Sequence, residues 1–124
     1  MAQVTATEVG EFLKCFKNAA SESGLYVVPR EKNSAALVDL GLTRQNRADI
    51  INGLAVEDYS SGPEPDSDKP GEVWFFGPAF NDGQIYIKLK LVVKQGVVSH
   101  ALCISFHLAR YPLALPHRRE GKRQ

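Results

Sequence analysis

The sequence predicts an α+β domain: an antiparallel β-sheet with N-terminal helices packed on one of its faces. Helical periodicity is confined to the first half of the chain, and period-two alternation dominates the second. Gln95-Gly96 also falls between two alternating runs, where a tight turn would pair them face to face.

Thr5 and Glu8 have capping-box spacing, and Val9, Phe12, Leu13 and Phe16 follow at helical intervals. An amphipathic helix is therefore expected over about residues 6–22, with Gly24 as its stop. Leu25 to Val28 is a short strand candidate closed by Pro29. Asn33 or Ser34 is the expected cap of a short helix running through Leu40, and Gly41 its stop. Thr43 caps a third, Arg44 to Asn52, ended by Gly53. Helices this short need a sheet to pack on. Ser60 to Pro70, with its three prolines, reads as a loop.

Glu72 to Phe76 restarts the sheet. Asn81-Asp82-Gly83 is a turn signal, so this strand and Gln84–Val93 form one hairpin. Ile85, Ile87, Leu89 and Leu91 are apolar, and the intervening Gln84, Tyr86, Lys88 and Lys90 are polar. In Val97–His107, Leu102, Ile104 and Phe106 are apolar, while Ala101, Cys103, Ser105 and His107 lie on the other face. A two-residue turn at Gln95-Gly96 pairs Lys94 with Val97. It then sets Leu89 opposite Leu102, Ile87 opposite Ile104, Ile85 opposite Phe106, and Gln84 opposite His107. Beyond His107, Pro112 and Pro116 keep the chain extended. Residues 1–116 read as one domain and 117–124 as a basic tail.

The 124 residues suffice for one core without staples, and a net charge of +1 leaves the class of partner open. Charge is nevertheless sorted. Glu57, Asp58, Glu64, Asp66, Asp68 and Glu72 cluster in one acidic stretch, and Arg110, Arg118, Arg119, Lys122 and Arg123 crowd the C-terminal end. Cys15 and Cys103 lack metal-ligand spacing, so neither a metal nor a cofactor is expected. There is no apolar run near 18 residues and no signal-peptide core, which points to a cytoplasmic protein.

An open face carrying a phenol, two amines and an imidazole suits a polyanion. Lys88 and Lys90 would neutralise phosphates, and Tyr86 and Trp74 would stack on unpaired bases. An imidazole at position 107 serves as general acid or base. With a cation to stabilise the phosphorane, that set cleaves RNA without a metal. Competing readings are a solvated sheet face, a core role for Trp74, and a non-catalytic module that binds RNA or protein on the same face.

Several pieces in order resemble the MqsR-type toxins of bacterial toxin–antitoxin systems, within the RelE-like ribonuclease group. They are Ile50-Ile51-Asn52-Gly53-Leu54, Glu57-Asp58-Tyr59, Val73-Trp74, Gly83-Gln84-Ile85-Tyr86-Ile87-Lys88 and Ile104-Ser105-Phe106-His107. The resemblance implies a RelE-like fold, a ribosome-independent endoribonuclease acting on single-stranded mRNA, growth inhibition, and a cognate antitoxin protein as partner. It puts the family's catalytic tyrosine on Tyr86 and its C-terminal strand lysine on His107. The family's glutamine after tryptophan is replaced by Phe75, and its lysine after the Asp-aromatic pair by Ser60 or Ser61. The expected site is then Tyr86 as orienting or acid group, His107 as general acid or base, and Lys88 as phosphate stabiliser. Gln84, Lys90, Arg110 and Trp74 are expected to contact RNA.

Overall fold

Both ends of the Thr5–Glu8 capping box close as their spacing requires. Glu8 N donates to Thr5 Oγ1 at 3.1 Å, and Thr5 N donates to Glu8 Oε1 at 2.8 Å. Helix α1 runs Ala6–Ser23 and buries Val9, Phe12, Leu13, Phe16 and Ala19, the stripe its periodicity marks. The computed structural model describes residues 4–118. Strand β1 (Leu25–Val27) follows, then α2 (Glu31–Leu40), α3 (Arg44–Asn52) and a single 3₁₀ turn at Val56–Asp58. Thr43 caps α3 reciprocally with Asn46.

The remaining strands are β2 (Tyr59–Pro65), β3 (Glu72–Phe76), β4 (Ala79–Phe80), β5 (Gly83–Lys94) and β6 (Val97–Leu108). They form one sheet in the order β1-β6-β5-β3-β2, with β4 paired to the start of β5. The N-terminal helices pack against it, and the fold is α+β. All pairings are antiparallel except β1 with β6, which is parallel, so the sheet is mixed rather than purely antiparallel. Among the described residues no helix is long and apolar enough to cross a membrane.

Three expectations need correction. The prolines of Ser60–Pro70 do not exclude a strand, because β2 is an edge strand and needs to donate on one side only. Asn33 and Ser34 do not cap α2. Arg30 stands at the cap position without a side-chain cap bond, and Asn33 lies buried one turn inside.

The third correction concerns register. The hairpin turns at Gln95-Gly96 with both residues at positive φ, and Lys94 pairs with Val97 as expected. Two bulges then follow on β6. Val93 pairs with Val98 but Val92 with His100, leaving Ser99 extra; Leu89 pairs with Cys103 but Lys88 with Ser105, leaving Ile104 extra. Each bulge reverses the alternation of β6. Between them, Ala101 and Cys103 turn into the core and Leu102 turns out, opposite Lys90. Beyond the second, Phe106 returns to the core opposite Ile87, not Ile85, and Ile104 stays partly exposed. The core on the helix side thus joins Ile85, Ile87, Leu89, Cys103 and Phe106 to Phe12, Phe16 and Phe76.

Candidate functional site

The second bulge decides which residues meet. It moves His107 from the predicted partner Gln84 to a place directly opposite Tyr86, where the rings stack at 5.1 Å and 26°. Lys88 stands opposite Ser105 on the same face. Phe75 of β3 adds a third ring, 6.0 Å from that of Tyr86, and Lys88 Nζ lies 5.8 Å above it. Tyr86, Lys88, Ser105 and His107 floor a cleft of about 510 Å³, a size suited to a small-molecule or nucleotide unit. Its wall is the start of α2, with Arg30, Glu31, Lys32 and Asn33.

Asn33 fixes that wall. After β1 ends, the edge of β6 would have bare backbone groups at the bulge. A side-chain amide carries the same donor and acceptor as a peptide unit. Asn33 Nδ2 donates to Ile104 O and Val28 O at 2.9 Å each, and Asn33 Oδ1 accepts from Phe106 N at 2.9 Å. The ladder thus continues through a side chain, and the first turn of α2 is held against Ser105–His107.

Burial, reinforced by the Glu64 carboxylate and opposed by Arg30, pushes the Tyr86 phenol above its ordinary value. It therefore keeps its proton at neutral pH and acts as a donor. His107 Nδ1 lies 3.1 Å from Leu108 O. If Nδ1 carries the proton that this contact takes up, Nε2 of the neutral ring is the free base. Cys103 is buried and its thiol is pushed up to about 12 by burial, so it is no nucleophile.

Of the other residues expected to contact RNA, none joins the cleft. Lys90 is 4% exposed and ion-paired to Asp66 at 2.6 Å. Gly71 has a φ of 115°, and a Cβ there would come within 2.8 Å of Lys90 Cε, so only glycine lets the β2–β3 loop close over the amine. Trp74 faces the helices and stacks on Phe12 at 4.3 Å. Gln84 is spent on backbone: Nε2 donates to Gly77 O at 2.9 Å, and Oε1 accepts from Leu113 N at 2.8 Å, which pins the C-terminal segment. Arg110 is exposed beyond the end of β6, outside the residues that line the cleft. His117, the first residue assigned to the tail, packs on Tyr59 at 5.4 Å and meets Val4 O through Nε2 at 2.9 Å. The rest of the tail from Arg119 lies outside the described residues.

Sequence reasoning missed Arg30, Lys32 and Ser105 as cleft residues, and Phe75 as the ring beside Tyr86. Pro29, which turns the chain across the end of β1, was the available signal for the first two. Among the described residues no group of His, Cys, Asp and Glu has the arrangement of a metal site. No family model, curated protein or solved structure matches the chain.

Proposed function

We propose that the protein is a metal-independent endoribonuclease that cleaves single-stranded mRNA in the cytoplasm, as the toxin of a toxin–antitoxin pair with a RelE-like fold. The observation that carries this is the stacked Tyr86–His107 pair on an open sheet face, with Lys88 beside it. Transesterification needs a base for the 2′-hydroxyl proton, a cation for the phosphorane and a donor for the leaving 5′-oxygen. His107 takes the acid–base role, Lys88 neutralises the phosphate, and Tyr86, kept protonated, orients or protonates. Unpaired bases have Phe75 and the Tyr86 ring to stack on. Tyr86 and His107 are also where the resemblance to MqsR-type toxins puts functional side chains.

The test is single-turnover cleavage of a single-stranded RNA in EDTA, with growth followed on expression with and without a candidate antitoxin. His107→Ala should slow cleavage at least about a hundredfold, within the range of general acid–base groups. Tyr86→Phe should slow it while keeping most RNA affinity. Growth arrest should fall in step. Full activity in His107→Ala, or loss of wild-type cleavage in EDTA alone, would refute the scheme. RNA binding with no cleavage would make the face a binding module.

A further inference from the structure

The cleft has two sides, and only the sheet side enters the scheme above. The α2 side presents Arg30, an exposed residue whose guanidinium reaches back over the sheet. Its Nη1 donates to Ser105 Oγ at 3.2 Å and lies 3.5 Å from Ile104 O. Ser105 stands directly opposite Lys88, so the contact brings Arg30 to the row that carries Lys88. Arg30 and Tyr86 line the same cleft, and the Arg30 charge opposes the upward push on the phenol.

Arg30 has no carboxylate partner among the described residues. The one salt bridge among the described residues is Lys90–Asp66. Both hydrogen bonds of the Arg30 side chain use Nη1, so the Nε and Nη2 donors are free among the described residues. A half-anchored guanidinium with its remaining donors free is suited to two-point recognition of a phosphate, which a lysine ammonium cannot reproduce.

We propose that Arg30 grips the scissile phosphate from the helix side, opposite Lys88 on the sheet side, with Ser105 aiming its guanidinium. This rests on the ribonuclease reading for its chemistry, but not for its phosphate contact. Arg30 and Lys88 would share the charge that builds on the phosphorane, and His107 would exchange protons beside them. Asn33 is then a positioning residue, because it holds the first turn of α2 on the β6 bulge from which Arg30 extends.

Two measurements separate the claims. The first is binding of a single-stranded RNA carrying 2′-O-methyl groups throughout, which this chemistry cannot cleave, by fluorescence anisotropy over a salt series. Arg30→Ala should weaken binding about tenfold and make the slope of log affinity against log salt shallower by about 0.7, the value for one phosphate of a single strand. An unchanged affinity and slope would overturn the phosphate contact. The second is single-turnover cleavage. Arg30→Ala should lose about a hundredfold, as when one preorganised donor is removed. Arg30→Lys should recover only part of this, and millimolar guanidinium should rescue Arg30→Ala but not His107→Ala. Cleavage within twofold of wild type, or a loss that guanidinium does not rescue, would remove Arg30 from the chemistry. If the wild type does not cleave at all, the ribonuclease reading fails, and the binding series still decides whether Arg30 holds phosphate. The variant should stay folded, because Ile104 O keeps its bond from Asn33.

Discussion

Replacing Asn33 with alanine removes three hydrogen bonds at a side chain that is 2% exposed, and the loss is unequal among its partners. Val28 O keeps a bond from Arg30 N at 2.9 Å, and Ile104 O keeps a long contact from Arg30 Nη1. Phe106 N–H, in a fully buried residue, is left with nothing. An orphaned buried donor costs about 1–3 kcal/mol and each of the other two lost bonds about 1 kcal/mol, for a total of about 3–5 kcal/mol. In a domain of this size that corresponds to a fall in Tm of roughly 10–20 °C. Urea unfolding of wild type and Asn33→Ala measures it. Asn33→Asp is the informative control. It keeps the acceptor for Phe106 N but turns a carboxylate toward two carbonyl oxygens, so it should be protonated in the folded state. Its folded pKa is then raised, and its stability should fall as pH rises from about 4 toward 7. A loss below about 1 kcal/mol for Asn33→Ala would mean that the side chain is not a substitute for strand pairing.

The shifted register can be checked by a contrast. Ile87→Ala should cost about 2–5 kcal/mol and Phe106→Ala about 3–5, whereas Ile104→Ala at the bulge should cost under about 1.5; equal midpoint shifts for Ile87 and Ile104 would restore the straight pairing. The buried ion pair makes a second contrast. Asp66→Ala should destabilise by about 3–5 kcal/mol by leaving Lys90 buried without a partner, and adding Lys90→Met should restore most of that. The hydrogen bond from Lys90 holds the Asp66 carboxyl at about 2, below its ordinary 3.8. Its contribution is therefore present above pH 4 and lost as pH falls from about 4 to about 2, a step that acid titration should find in wild type and not in Asp66→Ala.

The elements that were legible in the sequence are those whose signals are local. Thr5 with Glu8 and Thr43 marked helix starts, Gln95-Gly96 marked the hairpin, and the alternation of Ile85 to Leu91 marked the buried face of β5. What failed depends on partners far along the chain. Alternation in β6 was assigned by size, favouring Leu102 and Ile104 over Ala101 and Cys103. The burial of Ala101, Cys103 and Phe106 instead follows steps of two and then three, which is the trace of a bulge. Lys90 looked like its neighbour Lys88, because nothing local shows that Asp66 will fold over it. The two residues that proved to face each other, Tyr86 and His107, were both chosen for their chemistry, and the arginine across from them belongs to a helix whose docking only the folded chain determines.

The parallel pairing of β1 with β6 has a consequence for how the molecule comes into being. Leu25 emerges from the ribosome early, but its ladder partner Ala101 emerges among the last residues of the sheet. Until then β1 has no strand to lie on, the apolar side of α1 lacks part of its floor, and Asn33 has no bulge to occupy. Arg30 and His107 sit at opposite ends of that waiting time. A chain released or cut before β6 is made therefore carries neither a closed sheet nor a two-sided cleft. Truncated products would therefore lack the cleft altogether and lie open to degradation.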